Sequence, residues 1–386
     1  MQRGASGRFV ESTTAGELVR SFVPLPLPPE PAIEIDAERQ RLLERAMLAC
    51  GRLDAVTTLL PDPDLFLYSY VRREAVLSSQ IEGTQSSLSD LLLFELDGAP
   101  GVPFDDVVEV SGYVKALEHG LRSMEEGLPL CNRLIREMHA LLLSRGRGSD
   151  RNPGEFRTSR NWIMGTRPGK AHFVPPPPDL VQDCMSDLER FINTPSEAGV
   201  LIKAALAHVQ FESIHPFLDG NGRIGRLLIP MILRSEGVLH QPLLYLSLYF
   251  KQHRGEYYRL LDAVRSTGDW EAWLDFFLEG VEQTAAGAVN TANRLLALFM
   301  KDAERIRGLG RSAGSALRVF EALRHRPVAG IDHLARHAGV SFPTASRMIE
   351  SLERLGIVTE STGRRRNRVY SYEAFIAILS EERMAE

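Results

Sequence analysis

Residues 215–226 read HPFLDGNGRIGR and form a polar stretch within an apolar part of the chain. They lie between residues 200–211 (VLIKAALAHVQF) and residues 227–233 (LLIPMIL), whose hydrophobic patterns predict two buried helices. A polar loop in this position predicts a functional site.

The loop combines one imidazole, one carboxylate, one amide, two guanidinium groups and three glycines. Gly220 and Gly222 allow the backbone to fold tightly and to point its N–H groups inward. The second helix should begin near Arg223, so the positive end of its dipole adds to these donors. An anion is therefore the expected occupant.

Four side chains of the loop suit a bound phosphate. Asp219 provides the single carboxylate that usually holds Mg²⁺ beside a phosphate, where phosphate oxygens and water are the other ligands. Arg223 and Arg226 lie three residues apart, hence on one helical face, and their guanidinium groups fit phosphate oxygens. His215 is the one candidate base nearby.

The glycines also match a different pattern, because Gly220, Gly222 and Gly225 spell the dinucleotide fingerprint G-x-G-x-x-G. That fingerprint requires a preceding strand and a surrounding βαβ unit, whereas a helix of about fifteen residues precedes this loop. A purely structural loop with a helix cap would explain any one of these residues, but not all of them together.

A zinc site built from His208, His215 and Asp219 is a further alternative, since zinc prefers such ligands. His208 and Glu212 share a helical face, however, and we expect them to pair with each other. Zinc would also leave the neighbouring arginines and glycines without a use, so the phosphate interpretation is favoured.

HPFLDGNGRIGR resembles the signature of the Fic family, His-Pro-Phe-x-Asp/Glu-Gly-Asn-Gly-Arg-x-x-Arg, and matches it at every specified position. Members usually transfer AMP from ATP to a hydroxyl side chain of a target protein, so ATP and Mg²⁺ are implied. The resemblance implies that His215 takes the hydroxyl proton and Asp219 holds Mg²⁺. It assigns the phosphates of ATP to five positions, the last of them at the γ-phosphate: Gly220, Asn221, Gly222, Arg223 and Arg226.

The patterning predicts a mainly α fold. The resemblance implies a Fic-type helical bundle with a β-hairpin flap, and the C-terminal part resembles a winged helix-turn-helix domain. The first 35 residues are expected to be irregular because FVPLPLPPEP favours an extended path. We divide the chain into an N-terminal segment with an inhibitory helix (1–100), a Fic catalytic core (101–300) and the winged helix-turn-helix domain (311–386).

Composition and length fit an ordinary soluble protein with a sizeable core. Cys50, Cys131 and Cys184 lie far apart without metal-ligand spacing, which fits buried thiols in a reducing cytosol. The sequence has no apolar run with the length of a membrane span or the character of a signal peptide. We expect a cytoplasmic homodimer without membrane association.

A helix predicted over residues 65–81 ends in SSQIEG. A carboxylate at its last turn opposes the helix dipole, so Glu82 would benefit from a cationic partner, although a solvated surface glutamate is the simpler interpretation. Ser78-x-x-x-Glu82-Gly83 resembles the inhibitory motif of Fic proteins, in which the glutamate pairs with the second signature arginine. The resemblance implies that Glu82 binds Arg226 in place of the γ-phosphate and that the resting state is autoinhibited.

Two short β-prone runs, NWIM and AHFV, flank GTRPGK and predict a hairpin within residues 160–174. It would be a structural hairpin by itself. In the Fic family the equivalent flap aligns the target by strand addition, which would leave Arg167 and Lys170 at the tip to choose the partner. The implied docking residues are Asn161, Trp162, Ile163, Ala171, His172 and Phe173.

Aromatic residues recur at helical spacing downstream of the signature, and core packing explains most of them. In relatives one such tyrosine helps to enclose adenine, and Tyr257 and Tyr258 are the candidates here. Many relatives carry asparagine where His253 stands, so the base preference is left open.

The C-terminal part has a different charge from the rest of the chain. Residues 311–372 contain 11 arginines and 5 acidic residues, a net of +6, which leaves −11 for the remainder of a chain of net −5. Predicted helices, two strands and the basic TGRRRN segment resemble a winged helix-turn-helix domain. If the domain binds DNA, Thr344, Ser346 and Arg347 would face the major groove. The phosphates would be bound by Arg364, Arg365 and Arg366. Dimerisation or target docking is the alternative use.

Other activities are compatible with the same residues. The phosphate-transferring relative carries lysine where Gly222 stands, so Gly222 favours AMP transfer. A glutamate placed like Glu82 positions water in some relatives, which would make the chain an enzyme that removes AMP from targets. The alternative outside enzymes is a nucleotide-sensing, DNA-binding transcription regulator, although an intact His215 and Asp219 argue against a purely binding role.

Overall fold

The computed structural model describes residues 3–14, 16–59, 63–97, 104–195, 198–364 and 366–381. Helices dominate these residues, as predicted, and small sheets lie towards the two ends of the chain. None of the helices in these ranges combines the length and the apolar character that crossing a membrane requires.

The N-terminal residues form a β-hairpin, so the prediction of an irregular segment was wrong. Strand β1 (Gly7–Thr14) pairs antiparallel with β2 (Glu17–Pro24). The proline-rich stretch begins at Pro24, where β2 ends, so the prolines limit the strand rather than prevent it. The Phe22 N–H donates to Val174 O over 2.8 Å and joins the hairpin to the last residue of the predicted flap.

The helical body follows the hairpin. Its third helix starts with a capping box, in which the Ser87 N–H donates to Asp90 Oδ2 (2.9 Å) and the Asp90 N–H to Ser87 Oγ (3.2 Å). The helices of the body are α1 (Ala37–Leu59), α2 (Pro63–Ile81), α3 (Leu88–Asp97), α4 (Phe104–Glu125), α5 (Asn132–Leu142), α6 (Pro178–Asn193), α7 (Val200–Ile214), α8 (Asn221–Ser235), α9 (Ser247–Gln252), α10 (Arg254–Thr267) and α11 (Trp270–Arg307).

Helix α7 lies at the centre of the body, and every residue from Leu201 to Ile214 is buried. A helix that is apolar on nearly all sides has to be enclosed by others. Helix α8 packs along α7, and Trp273 on α11 donates its Nε1–H to Ala205 O over 3.0 Å. The loop at residues 215–220 is therefore held between buried helices.

The predicted hairpin at residues 160–174 is present but shorter than expected. Its pairing consists of one antiparallel bridge between Ile163 and Phe173, with N to O distances of 2.8 and 3.2 Å, and one bond from the His172 N–H to Met164 O over 3.0 Å. A short 3₁₀ helix, Pro168–Lys170, and a positive φ of 52° at Met164 bend the tip and interrupt the ladder. This flap therefore has only a short regular strand edge with which another strand could pair.

The C-terminal domain has the predicted helices and wing. It comprises α12 (Ala313–His325), β3 (Val328–Gly330), α13 (Ile331–Ala338), α14 (Phe342–Arg354), β4 (Thr359–Glu360), β5 (Val369–Ser371) and α15 (Glu373–Ser380). The strands form an antiparallel sheet in the order β3-β5-β4, so β5 pairs with a third strand that the sequence did not predict.

The C-terminal domain packs against α2 as well as α11. Helices α12 and α15 contact α2, and Arg73 on α2 donates to Glu381 O over 2.7 Å. Arg326 donates to Glu95 O of α3 over 3.0 Å. Helix α2 therefore touches both the helical body and the C-terminal domain.

The predicted division of the chain stays a prediction. Its first boundary, between residues 100 and 101, lies outside the described residues. Helix α11 runs past residue 300 to Arg307 and carries the chain directly towards α12, with a short 3₁₀ turn between them.

Replacing Trp273 with alanine should lower the free energy of unfolding by about 3–5 kcal/mol, because a fully buried ring and its hydrogen bond to Ala205 are removed. Chemical denaturation followed by circular dichroism measures this change. Met300→Ala is the control on the same helix, since Met300 is 73% exposed, and it should stay within about 0.5 kcal/mol. Equal effects of the two variants would contradict the packing described here.

Candidate active site

The loop after α7 is held by hydrogen bonds to its main chain. His215 adopts a left-handed conformation (φ 49°, ψ 61°), and its N–H donates to Phe211 O over 2.9 Å. Arg157 donates from Nε to His215 O over 2.9 Å and from its own backbone N–H to Pro216 O over 2.9 Å. Arg157 is buried and was missed by the sequence analysis. It fixes the backbone that carries the candidate base.

Asn221 has a structural use that the sequence analysis did not predict. Its Oδ1 accepts from the Phe217 N–H and its Nδ2 donates to Phe217 O, both over 2.8 Å. The side chain is buried and closes the loop on itself, just where α8 begins. The side chain of Asn221 therefore shapes the loop, while the N–H groups at the start of α8 keep the orientation that favours an anion.

Arg226 is bound to the end of α2. Its Nη2 lies 2.8 Å from Glu82 Oε1 and 2.9 Å from Ser78 O, and its Nε donates to Ser78 Oγ over 2.9 Å. Burial favours a raised pKa for Glu82, but the Arg226 guanidinium outweighs it and holds the pKa below its usual value. The structure thus brings Ser78, Glu82 and Arg226 together, as the sequence analysis expected.

Gly222 leaves the space that this ion pair occupies. A Cβ built at Gly222 would collide with Glu82 Oε1 and would lie 3.0 Å from Arg226 Nη1. Gly83, which follows Glu82, has a φ of +98° and turns the chain away from α2. Any side chain at Gly222 would therefore have to displace Glu82 or Arg226.

Arg223 is fully buried and belongs to a separate charge cluster. Its Nη1 lies 2.5 Å from Glu109 Oε1 on α4, and its Nη2 lies 3.6 Å from Asp219 Oδ1. Glu109 was missed by the sequence analysis, although an acidic residue in the apolar run VVEVSGYV was a usable signal. A buried carboxylate therefore neutralises the first signature arginine.

His139 on α5 contacts the loop, and the sequence analysis missed it as well. Its Nδ1 accepts from the Gly154 N–H (2.8 Å), which leaves Nε2–H to donate to Asp219 O (3.0 Å). The ring stacks on Phe217 at 3.7 Å between centroids. Burial lowers the pKa of His139 to about 4, so the ring is neutral near pH 7.

The ring of His215 is also neutral near pH 7. Burial lowers its pKa to about 3, and the positive charges of Arg157 and Arg265 add to this effect. Its Nδ1 is buried and has no hydrogen-bond partner in the part of the chain that the structure describes. A neutral imidazole has a lone pair with which to accept a proton.

The predicted pairing of His208 with Glu212 was wrong. His208 Nδ1 lies 2.9 Å from Gly225 O, which places its proton there, and Nε2 accepts from the Tyr257 hydroxyl over 2.9 Å. Glu212 Oε1 has no partner among the described residues, and burial raises the pKa of Glu212 to about 7. Among the described residues no group of three His, Cys, Asp or Glu side chains could hold a metal.

The two adenine candidates differ in exposure. Tyr257 is buried, bonds to His208 and stacks on Phe250 at 4.6 Å, so its hydroxyl already has a use in the core. Tyr258 is half-buried, with the Arg254 guanidinium 5.7 Å above its ring. His253 Nδ1 lies 3.0 Å from Tyr249 O.

The flap is tied to its surroundings. Arg167 forms an ion pair with Glu17 of the N-terminal hairpin (2.7 Å), so this residue of the tip has an internal partner that the sequence did not predict. Asn161 Nδ2 donates to Phe217 O (3.1 Å), and Phe173 packs on Phe22, with ring centroids 6.0 Å apart. The main-chain groups of Ile163 are used by Phe173, while Ala171 and His172 continue the second arm.

In the C-terminal domain Arg347 is exposed on α14, whereas Thr344 and Ser346 are half-buried. Arg364 and Arg366 are exposed in the wing, and Arg365 lies outside the described residues. These positions lie on the C-terminal domain, whereas a cavity of about 450 Å³ in the helical body is lined by most of the other predicted residues. The predicted residues in its wall are Glu82, Asn161, Trp162, Ile163, His215, Asp219, Gly220, Asn221, Gly222, Arg223, Arg226, Tyr257 and Tyr258, and Arg147, Glu212 and Leu218 complete it.

Comparison with known families agrees with this arrangement. Residues 40–122 match the Fic/DOC family N-terminal region, residues 129–233 match the Fic/DOC family, and residues 312–361 match the IclR helix-turn-helix domain. The chain belongs to the Fic family. The Fic match covers α5, the flap, α7, the signature loop and most of α8.

Curated relatives carry the name protein adenylyltransferase Fic. The proteins from Drosophila ananassae and Drosophila melanogaster are 29% identical over 208 residues, which is 53% of this chain and 39% of each relative. The Drosophila virilis protein is 30% identical over 186 residues, 48% of this chain and 35% of the relative. The Fic chain described here therefore spans about two fifths of the length of these relatives.

Solved Fic structures share the fold. A Fic family protein from Desulfovibrio desulfuricans G20 superposes with a TM-score of 0.59 at 21% identity, covering 89% of this chain and 98% of that one. Fic-1 from C. elegans gives a TM-score of 0.52 at 24% identity, covering 66% of this chain and 72% of that one. The first of these likenesses extends well beyond the Fic core.

His139 should make stability depend on pH. Its pKa is below the unfolded value of about 6.5, so the unfolded chain takes up a proton first and stability is lost as the pH falls. The stability difference between wild type and His139→Phe should narrow by about 2 kcal/mol from pH 7.5 to pH 5. Denaturant titrations at both pH values measure it.

Phe217→Leu is the control, because it removes the stacking partner of His139 without removing a titrating group. Its difference from wild type should be the same at both pH values. If the stability difference between wild type and His139→Phe is the same at both pH values, His139 is not neutral in the folded protein.

Proposed function

We propose that this Fic protein transfers AMP from ATP to a tyrosine, threonine or serine hydroxyl of a target protein or of itself. We also propose that Glu82 keeps the resting enzyme inactive. The main supporting observation is the ion pair between the buried Arg226 and Glu82, which lies in the wall of a cavity that is also lined by a neutral His215. The name of the curated relatives supports the same activity.

The geometry supplies the parts of an in-line transfer. His215 would accept the proton of the attacking hydroxyl, whose oxygen bonds to the α-phosphorus while pyrophosphate leaves with the electron pair of the broken bond. The N–H groups at the start of α8 and the arginines would stabilise the charge on the phosphates. Because Arg157, His139 and Asn221 fix the loop, little reorganisation is needed when the substrate arrives.

Asp219 is the residue that would hold Mg²⁺. One of its oxygens accepts from the Gly220 N–H over 2.6 Å, and its side chain is about one-third exposed to the cavity. A single carboxylate with room for phosphate oxygens and water fits this ion, which would neutralise phosphate charge.

Inhibition follows from the position of Glu82. Arg226 bonds to Ser78 on the last turn of α2 and to Glu82 just beyond it, so a γ-phosphate that reached it would first have to displace a carboxylate. Like charges repel at this distance, and ATP could bind only with its phosphates displaced from a productive position. Glu82 could instead position water for removal of AMP, which is the alternative activity within the same site.

The test uses ATP labelled at the α- or the γ-phosphate. Label from the α-phosphate alone should appear on protein. Glu82→Gly should raise it about tenfold or more, because a charge-assisted pair is removed, and His215→Ala should lower it about a hundredfold or more. Autoradiography of the full chain, with and without candidate target proteins, measures these effects.

Glu126→Gly is a matched control for the first variant. Glu126 is exposed, follows the last residue of α4 and precedes Gly127, as Glu82 follows α2 and precedes Gly83. It should label like wild type. Label from the γ-phosphate, or no response to Glu82→Gly, would contradict the proposal, and release of AMP from labelled target by wild type would favour the removal activity.

A second function is favoured by the IclR helix-turn-helix match and by exposed arginines on α14 and the wing. We propose that this domain binds DNA, which would make the chain a nucleotide-sensing regulator as well. Replacing Arg364, Arg365 and Arg366 with alanine should weaken binding and reduce the salt slope by about 1 for each arginine that binds a phosphate. Gel shifts at several salt concentrations measure this.

Arg318→Ala is the control, because Arg318 is exposed on α12, away from the wing. Its salt slope should match that of wild type. No DNA affinity at low salt in the wild-type chain would leave dimerisation or protein docking as the use of this domain.

A further inference from the structure

Arg147 is a cation at the wall of the cavity that no part of the signature supplies. It follows α5 in a turn between Gly146 and Gly148, whose φ values are +80° and +85°. A Cβ built at Gly148 would lie 2.8 Å from Asp219 Oδ2, so the turn passes very close to this carboxylate. The close approach of the backbone places Arg147 beside Asp219 in the cavity wall.

Arg147 shares its carboxylate partner with a better buried arginine. Its Nη2 lies 3.0 Å from Glu109 Oε1, the same oxygen that lies 2.5 Å from Arg223 Nη1. The side chain of Arg147 is 51% exposed, whereas those of Glu109 and Arg223 are 2% and 1% exposed. Arg147 can therefore turn away from Glu109 while that buried carboxylate keeps its ion pair with Arg223.

The other two arginines of the cavity wall have less freedom. Arg226 is held by Ser78 and Glu82, and Arg223 lies between Glu109 and Asp219. Arg226 and Arg223 are thus already paired with the carboxylates of Glu82, Glu109 and Asp219. A triphosphate adds negative charge to the cavity, so an exposed guanidinium with a replaceable partner is the group best placed to meet it.

We propose that Arg147 binds oxygens of the β- and γ-phosphates and so makes the site prefer ATP to AMP. This inference rests on the proposed nucleotide site. Arg147 holds the pyrophosphate part in line while the bond between the α-phosphorus and the bridging oxygen breaks. Glu109 meanwhile remains paired with Arg223, so the exchange leaves no buried charge without a partner.

The test measures equilibrium binding of ATP and AMP by calorimetry with the full chain carrying Glu82→Gly. Adding Arg147→Ala should weaken ATP binding about tenfold or more, since a charge-assisted hydrogen bond is removed, and should change AMP affinity less than about twofold. Arg147→Lys should recover part of the affinity. Arg151→Ala is the control, because Arg151 lies on the same segment, pairs with Asp150 at 3.7 Å and should leave both affinities unchanged.

Equal weakening of ATP binding and AMP binding would show that Arg147 only supports the fold of the site and would overturn the inference. An unchanged ATP affinity would also overturn it. The two proposals fail separately. ATP affinity that depends on Arg147 without any labelled protein would contradict AMP transfer alone. If protein is labelled but the Arg147→Ala substitution leaves the ATP affinity unchanged, only the inference about Arg147 is contradicted.

Discussion

The buried guanidinium of Arg226 is the constraint on which the rest of the site depends. A charge enclosed in a protein must be matched by nearby acceptors. Among the described residues Arg226 has three, Ser78 Oγ and Ser78 O on the last turn of α2 and Glu82 Oε1 just beyond it. The position of α2 on the body is thereby coupled to the signature loop. Removing these acceptors would leave the charge of Arg226 facing the cavity without a partner from α2 or Glu82.

Around this charge the loop is held by contacts directed at its main chain. Arg157 binds the carbonyl of His215, His139 binds the carbonyl of Asp219, and the Asn221 side chain binds both main-chain groups of Phe217. Because these partners leave the side chains of His215 and Asp219 pointing towards the cavity wall, stability and chemistry use different groups of the same residues. Such main-chain support holds both residues in place while their side chains line the cavity.

Local patterns predicted the helices, the wing and the charged loop, because each depends on residues close together in sequence. The pairing of Glu82 with Arg226 was expected only through a motif, since the two lie 144 residues apart. His139 and Arg157 escaped prediction because their partners lie 80 and 58 residues away. His208 was assigned the wrong partner, since Tyr257, 49 residues later, supplies the bond that Glu212 does not. The N-terminal hairpin was missed because its support comes from Val174 in the distant flap region.

Helix α2 has 19 residues and therefore spans about 28 Å. Glu82 lies just beyond one end, whereas Arg73 and the faces that meet α12 and α15 lie along its length. Because hydrogen bonds along a helix make it stiff, a tilt of α2 at its contacts with the C-terminal domain would also move the carboxylate that binds Arg226. The spacing between the C-terminal domain and the cavity is therefore set by the length of one helix.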